Sequence, residues 1–139
     1  MHVLVFNSRG ELYLQKRSPN KDIQPGKWDT SVGGHVAAGE SFESAAYREL
    51  EEELGIKEVR ITPLYEYTYQ SEIESEYIKT YYLLHDGLIE PNPTEITEGK
   101  FWLIKCIQQQ HQAGLFTPNF LHELDRYSHH TAHRPAPGP

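Results

Sequence analysis

The amino-acid sequence predicts a single α+β domain. Strand-like segments rich in β-branched and aromatic residues surround one strong helix, and a second helix lies near the C-terminal end. The 139 residues suit one domain, and the 12% of aromatic residues can anchor its core. Because strands and helices do not alternate regularly, the pattern differs from that of a βαβ array.

The first part of the chain is predicted to form a β-hairpin followed by a short strand. Its strand candidates are residues 3–6, 12–16 and 28–32. The polar, glycine-containing segment 7–10 separates the first two and is typical of a turn. Residues 18–27 hold two prolines and a glycine, which favours a loop between the hairpin and the third strand.

The central helix is predicted over residues 42–54. Ser41 is a suitable N-cap, because its hydroxyl can accept a hydrogen bond from a backbone N–H of the first turn. Glu43 lies near the positive end of the helix dipole, and Gly55 favours termination of the helix. These three signals make this helix the clearest element in the sequence.

Beyond the central helix, the sequence predicts two long strands and a shorter one. They are placed at residues 59–70, 77–84 and 100–104. Pro91 and Pro93 indicate a loop before the last of these strands. Glu95 and Glu98 are expected to lie in that loop, where acidic residues are usually exposed.

The second helix begins at a strong start signal, Thr117 followed by Pro118 at the first helical position. It is predicted to end at about Tyr127. The residues after it include three histidines and three prolines, a composition typical of a disordered tail. We therefore expect one domain over residues 1–127 and a disordered tail over residues 128–139.

Charge and cysteine content exclude several classes of function. Thirteen Lys and Arg against twenty Asp and Glu give a net charge of −7, which disfavours a nucleic-acid polymer as partner. Cys106 is the single cysteine, so an intrachain disulfide and a cysteine-based zinc site are excluded. The sequence shows neither a signal-peptide pattern nor an apolar run of transmembrane length. We therefore expect a cytoplasmic protein with no membrane partner.

The acidic residues of the central helix are not all on its water-facing side. With about 100° of rotation per residue, Glu49 and Glu53 fall within the apolar face, Glu52 at its edge and Glu51 opposite it. Carboxylates four residues apart repel each other, and partial burial raises that cost. Hard divalent cations such as Mg²⁺ or Mn²⁺ would compensate this charge. The pattern favours a metal site over the alternative, a helix at a sheet edge whose acids reach solvent.

Residues 34–56 resemble the full Nudix box. Gly34 is followed after five residues by Glu40, and after seven more by Arg48-Glu49-Leu50-Glu51-Glu52-Glu53-Leu54-Gly55-Ile56. Every defining position of the box is filled. The resemblance implies an α/β/α sandwich around a mixed β-sheet. It also implies the activity of this superfamily, whose members mostly hydrolyse a nucleoside diphosphate linked to another moiety, using Mg²⁺ or Mn²⁺.

The same resemblance implies roles for single residues. The implied metal ligands are Gly34 through its carbonyl, Glu40, Glu49, Glu52 and Glu53. Glu52 and Glu53 would also take part in catalysis, and Arg48 would hold the acids in place. The general base would be one of the box acids, or Glu95 or Glu98, since members of the superfamily differ on this point.

Segments outside the box are similar to the branch of the superfamily that includes isopentenyl-diphosphate isomerase. They comprise residues 16–21, 25–31 and 116–118, together with the acidic motif at 95–98 ahead of Trp102. In the isomerases the positions of Arg17 and Lys21 bind the substrate diphosphate, so the resemblance implies that role here. Relatives in this branch usually begin upstream of Met1, which implies a truncated sequence or an internal start.

Two departures argue against isomerase activity. Gly33 occupies the position of the catalytic cysteine, and His2 aligns with neither upstream histidine of the isomerases. We therefore predict a Mg²⁺-dependent pyrophosphohydrolase that acts on a small-molecule diphosphate. The alternatives are an isomerase of prenyl diphosphates and a non-catalytic nucleotide-binding module, although such a sensor would more often lose box acids. The sequence is compatible with a homo-oligomer and does not identify the substrate.

Overall fold

The computed structural model describes residues 1–19, 24–72, 75–94 and 96–133. In this part of the chain the strands are β1 (His2–Phe6), β2 (Leu12–Arg17), β3 (Trp28–Asp29), β4 (Val32–Gly33), β5 (Thr62–Gln70), β6 (Ser75–Leu84) and β7 (Ile96–Trp102). The helices are α1 (Phe42–Leu54), α2 (Ile104–Gln109) and α3 (Pro118–His133). No helix formed by the described residues is both long enough and apolar enough to cross a lipid bilayer.

The strands form one mixed sheet. Its order is β3-β2-β1-β6-β5, with β4 paired to β1 and β7 paired to β2. The central strands β1 and β6 are parallel, whereas the other pairs are antiparallel. Antiparallel neighbours can be joined by short turns, and the parallel pair requires a longer crossover. The crossover from β1 to β6 includes helix α1.

Strand β1 is buried on both faces because a helical layer covers each side of the sheet. Val3 and Val5 belong to the hydrophobic core that includes Leu50 of α1. Leu4, between them, belongs to the second core, together with Phe120 of α3. Successive side chains of a strand point to opposite faces, so the two cores lie on opposite sides of the sheet. The predicted α/β/α sandwich is therefore confirmed.

The segment predicted as one strand at residues 28–32 forms two short strands. β3 pairs with β2, and β4 pairs with β1. Between them, Ser31 is fully buried; its hydroxyl donates to the carbonyl of Tyr13 and accepts from Val5 N at 3.0 Å. These side-chain hydrogen bonds replace ladder bonds at the point where the chain passes from one neighbour strand to the other.

The strand predicted at residues 100–104 has the wrong bounds at both ends. β7 begins at Ile96 rather than at residue 100, because its antiparallel pairing with β2 extends along almost the whole of that strand. Glu98 therefore lies in a strand and not in a loop. Ile104 begins helix α2, which was not predicted. That helix has six residues and no side-chain N-cap hydrogen bond, so it leaves little periodic signal in the sequence.

Helix α3 extends to His133 and does not end at about Tyr127. No proline or glycine interrupts it after Pro118, and Pro135 is the next helix breaker. The ring of His130 packs against Tyr65 of β5, with 5.2 Å between the ring centroids. Residues 128–133 are thus helical, which corrects the prediction of disorder for this part of the tail. Residues 134–139 lie outside the described part of the chain.

Candidate active site

Helix α1 carries the predicted site residues Arg48, Glu49, Glu52 and Glu53, and caps fix both of its ends. Ser41 accepts a hydrogen bond from the backbone N–H of Ser44 at 3.1 Å. Gly55 has a φ of 66° and donates its N–H to carbonyls of the last turn, which terminates the helix. The side chains that α1 buries against the sheet are Ala45, Ala46, Leu50 and Leu54. This packing determines the rotation of the helix and hence the direction of its acids.

The acids of α1 lie where the helical periodicity predicts. Glu49 and Glu53 are partly buried, whereas Glu51 and Glu52 are exposed. The glycine after β4 provides room for one of the partly buried pair. A Cβ atom at Gly34 would lie 2.9 Å from Cδ of Glu49, closer than nonbonded atoms approach. A residue with a side chain at position 34 would therefore displace the Glu49 carboxylate.

The guanidinium of Arg48 joins three of the box acids. Its Nε and Nη2 donate to the two oxygens of Glu40 at 2.7 and 3.0 Å, a bidentate arrangement. Its Nη1 donates to Glu49 and, at 3.2 Å, to Glu52. A single cation thus orients carboxylates from the loop before α1 and from two turns of the helix itself.

Glu40 is a partner of Arg48 and does not join the other predicted metal ligands. Besides the two hydrogen bonds from Arg48, it accepts one from the backbone N–H of Ala37 at 3.0 Å. These contacts lower the pKa of Glu40 to about 2. Because both oxygens are engaged and the side chain does not line the cavity described below, the structure gives no support to a ligand role for Glu40.

Glu53 differs from Glu40 because it has few compensating partners. Burial is the main cause that raises its pKa, and the neighbouring Glu49 raises it further, to about 9. Gln15 of β2 opposes the shift by donating its side-chain N–H to Glu53 at 2.7 Å. Without a nearby cation, Glu53 therefore keeps its proton at neutral pH.

A cavity with a volume of about 650 Å³ opens next to these acids. Its lining residues are His2, Gln15, Arg17, Gln24, Asp29, Thr30, Gly33, Gly34, His35, Glu49, Glu52, Glu53, Glu76, Asn92, Thr117 and Asn119. Five of the predicted site residues are among them, namely Arg17, Gly34, Glu49, Glu52 and Glu53. The volume lies within the range of small-molecule sites, which is roughly 300–1,000 Å³.

Arg17 is held at the cavity wall by an acidic neighbour. Its Nη1 lies 3.3 Å from Oδ2 of Asp29, and both side chains are about a quarter exposed, at 28% and 25%. Asp29 is itself fixed, since it also accepts a hydrogen bond from the hydroxyl of Thr117 at 2.9 Å. Lys21, the second predicted phosphate-binding residue, lies outside the described part of the chain.

Glu98 was predicted as a catalytic residue, but it points to the opposite face of the sheet from Arg17 and does not line the cavity. Lys16 and Arg17 are neighbours on β2, so their side chains point to opposite faces, and Arg17 lines the cavity. Glu98 is paired with Lys16, whose ammonium lies 5.9 Å from the ring centroid of Trp28 in the second core. A register shift in β7 at this point determines that pairing. Glu95 lies outside the described part of the chain.

The cavity offers donors of the kind that Mg²⁺ or Mn²⁺ binds. Among the described residues, no three acidic, histidine or cysteine side chains are arranged as a complete metal site. Glu49 and Glu52 instead share the guanidinium of Arg48. The carboxylates of Glu49, Glu52 and Glu53 nonetheless offer hard oxygen donors, and burial next to Glu49 raises the pKa of Glu53, a shift that a bound cation would oppose. The donor set therefore fits a hard divalent ion that would exchange with these contacts.

The backbone carbonyl of Gly34, the remaining predicted ligand, also has a partner within the chain. It accepts a hydrogen bond from the α-amino group of Met1 at 2.8 Å, and Gly34 N donates to the carbonyl of Met1 at 3.1 Å. These bonds extend the pairing of β1 with β4 by one residue. Gly34 thus lines the cavity at the edge of the sheet.

Sequence reasoning missed several cavity residues. Gln15 had a usable signal, because it shares a face of β2 with Arg17 at the two-residue period of a strand. Thr117 was identified only as an N-cap, which it is, since its hydroxyl accepts from Phe120 N at 3.1 Å. The hydrogen bond from the same hydroxyl to Asp29 could not be predicted from the sequence, because 88 positions separate the two residues.

The sequence is similar to proteins of one known family. A family model described as NUDIX domain matches residues 1–124. A Nudix hydrolase of Deinococcus radiodurans is 36% identical over 128 residues, covering 91% of this chain and 75% of the relative. An isopentenyl-diphosphate Δ-isomerase of Pectobacterium atrosepticum is 32% identical over 113 residues, covering 78% of this chain and 63% of the isomerase.

Solved structures show the same architecture. The crystal structure of DR0079 from Deinococcus radiodurans superimposes with a TM-score of 0.81 at 29% identity. The match covers 90% of this chain and 79% of that protein. The similarity therefore includes both helical layers and the sheet between them.

Proposed function

This chain belongs to the Nudix family and is a hydrolase of diphosphate bonds, and we propose that it cleaves a diphosphate linkage in a nucleoside diphosphate derivative or a related small diphosphate, with Mg²⁺ or Mn²⁺ as cofactor. One observation carries this proposal. The cavity brings Glu53, whose pKa is raised by burial and by Glu49, together with Glu49, Glu52 and Arg17, so it can take up a cation and an anionic group together.

In this proposal, Glu49, Glu52 and Glu53 hold the metal through their carboxylates, with the carbonyl of Gly34 as a further ligand. Such an ion would neutralise phosphate charge and lower the pKa of a bound water. Support for this role comes from the carboxylate oxygens of these residues, which line the cavity, and from the raised pKa of Glu53, which a cation would lower.

The other residues of the site position these groups. Arg48 orients Glu49 and Glu52, and Gln15 orients Glu53 through its hydrogen bond of 2.7 Å. Arg17 binds a phosphate group of the substrate, because a guanidinium presents a fork of donors that matches phosphate oxygens. The Oδ2 atom of Asp29 lies 3.3 Å from Nη1 of Arg17 and so fixes the direction of the guanidinium.

Isomerase activity is the second candidate, since isomerases are among the relatives. The environment of Gly33, which stands where those enzymes carry their catalytic cysteine, argues against it. A Cβ atom at Gly33 would lie 3.1 Å from Cδ2 of His2, so a cysteine there would require the imidazole to move.

The test is a panel of nucleoside diphosphate derivatives and prenyl diphosphates, each incubated with Mg²⁺, with Mn²⁺ or with EDTA. We expect release of a phosphate-bearing product from at least one nucleotide compound, dependent on the metal. Isomerisation of isopentenyl diphosphate without hydrolysis would favour the second candidate. Tight binding of a nucleotide with no turnover in either metal would favour a non-catalytic module.

A further inference from the structure

Glu123 is a buried carboxylate that the proposed mechanism does not use. It lies on α3, has 0% exposure, and packs between the helix and the sheet. It accepts hydrogen bonds from the hydroxyl groups of Tyr65, of Tyr67 at 2.8 Å and of Thr80 at 3.0 Å. Its fourth partner is Nδ1 of His2, at 2.6 Å.

This environment determines which nitrogen of His2 carries a proton. Burial opposes ionisation of Glu123, but the hydrogen bonds from His2, Tyr65 and Tyr67 hold its pKa below the ordinary value. An ionised carboxylate only accepts hydrogen bonds, so Nδ1 of His2 must donate. In the neutral imidazole, Nε2 is then the acceptor nitrogen.

The Nε2 edge of the His2 ring lies beside Gly33, and both residues line the cavity. His2 lines the cavity, and its side chain is 12% exposed. A Cβ atom at Gly33 would lie 3.1 Å from Cδ2 and 3.6 Å from Nε2, so the glycine leaves this edge of the ring uncovered. Among the described residues, no group hydrogen-bonds to Nε2. An acceptor nitrogen with a fixed tautomer is therefore presented to the cavity that Glu49 and Glu53 also line.

We propose that His2 is a further catalytic residue, which accepts the proton of the attacking water at Nε2, and that Glu123 is its positioning residue. This inference rests on the proposed function. The water oxygen forms a bond to a phosphorus atom of the substrate, and the water proton moves to Nε2. The bridging P–O bond breaks, and its electron pair remains on the leaving phosphate oxygen. The proton then passes from Nε2 to the leaving phosphate or to solvent, which restores the imidazole.

A purely structural role for His2 would be to link β1 to α3 through Glu123. The substitution His2→Asn separates the two roles. The amide of asparagine can donate to Glu123 as Nδ1–H does, but the side chain has no atom at the position of Nε2. The link to α3 is kept, and the proton acceptor is lost.

The first measurement is steady-state hydrolysis by His2→Asn, with the wild type and His85→Asn as references. His85 lies in the loop after β6, does not line the cavity, and hydrogen-bonds the carbonyl of Leu88. We expect kcat of His2→Asn to fall about 10²–10⁴-fold, the usual contribution of a general base, with little change in KM or melting temperature. His85→Asn should keep wild-type kcat. A folded His2→Asn protein with wild-type kcat would overturn the inference while leaving the proposed function intact.

The second measurement does not depend on activity. ¹⁵N NMR of the histidine rings, with His2 assigned by its loss in His2→Asn, reports which nitrogen is protonated when the ring is neutral. We expect the Nδ1–H form in the wild type. In Glu123→Gln, whose amide can donate to Nδ1, we expect a shift toward the Nε2–H form and a lower kcat. An Nε2–H ring in the wild type would overturn the inference even if His2→Asn did not fold. A wild type that hydrolyses no diphosphate at all would instead refute the proposed function.

Discussion

Glu53 on α1 and Glu123 on α3 are acids withdrawn from solvent on opposite sides of the same sheet, yet their pKa values shift in opposite directions. Burial and the neighbouring Glu49 raise the pKa of Glu53 to about 9. Glu123 is more deeply buried, and its pKa is nevertheless lowered by the hydrogen bonds that it accepts. Burial alone therefore does not determine the protonation state of either group.

The difference lies in the partners that each carboxylate finds. Glu123 accepts from four donors, whereas Glu53 accepts from the amide of Gln15 and lies beside another acid. A buried anion is stable only if donors or cations replace its hydration. The protein supplies these donors to Glu123 from its own residues. Glu53 is left with a requirement for positive charge, which is the property expected of a metal ligand.

The largest expected effect is on catalysis by Glu53→Gln. Loss of an outer-shell partner typically costs a metal site up to about 100-fold in activity, so loss of a ligand charge should cost at least that much. The fold should be retained, because glutamine keeps the shape of the side chain. Glu51→Gln is the control, since Glu51 is exposed on the opposite side of α1. Equal loss of hydrolysis in both variants would contradict the assignment of the two helix faces.

The same variant has a pH-dependent effect on stability in EDTA. The folded-state pKa of Glu53 is about 9 and the ordinary value is 4.5, so between these values the folded state binds more protons than the unfolded state. The free energy of unfolding of the wild type should therefore fall as the pH rises through this window. Glu53→Gln removes that loss, and its melting temperature should increasingly exceed that of the wild type toward pH 9. If the melting temperatures of the wild type and Glu53→Gln changed with pH in parallel, Glu53 would already be ionised in the folded wild type, with its charge compensated by neighbouring groups.

Loss of the Glu123 charge should destabilise the folded protein, whereas loss of the Glu53 charge should stabilise it. Glu123→Leu leaves buried donors without an acceptor, and breaking a buried charged network in this way costs roughly 3–5 kcal/mol. The melting temperature should fall by roughly 10 °C or more. Asp125→Leu on the same helix is the control, because the Asp125 side chain is 75% exposed and should change stability little. Glu53→Leu in EDTA should leave the melting temperature unchanged or raise it. A similar fall in melting temperature in Glu123→Leu and Glu53→Leu would contradict the expected difference between the two carboxylates.

The two regions were not equally predictable from sequence. The acids of α1 were located by helical periodicity, since two of them fall among the leucines and alanines, and their partial burial is confirmed. Applied to α3, the same periodicity places Glu123 in the apolar stripe of Phe120 and Leu124. Its partners could not be identified in this way, because Thr80 and His2 are brought to it only by the β1–β6 pairing.

Errors arose where tertiary contacts override local signals. The sequence placed Glu98 near the site, but the register shift in β7 pairs it with Lys16 on the other face. The polar residues after Tyr127 suggested a disordered tail, yet His130 packs on Tyr65 and the helix continues. The membership in the Nudix family and the similarity to the isomerase branch, both expected from motifs, are confirmed.

A smaller effect is expected for Arg17→Ala, which tests the part of the cavity proposed to bind the anionic phosphate. A charge-assisted hydrogen bond is worth about 1.5–3 kcal/mol, so kcat/KM should fall roughly 10- to 100-fold. Arg17→Lys should recover only part of this loss, because an ammonium lacks the forked geometry. The stabilisation of the protein by Mg²⁺ should be unchanged in both variants. Wild-type kcat/KM in Arg17→Ala would refute the phosphate role.

The smallest expected effect is the stabilisation of the wild type by the metal alone, without substrate. A ligand that binds only the folded state adds RT ln(1 + [L]/Kd), which is about 1.4 kcal/mol when free metal is at ten times Kd. For a domain of this size the melting temperature should rise by roughly 3–6 °C. The increase should disappear in Glu53→Gln and persist in Asp125→Leu, since Asp125 is exposed on the other helical layer. An equal increase in Glu53→Gln would place the ion elsewhere, and the high pKa of Glu53 would then reflect its pairing with Glu49 and not a site kept for a cation.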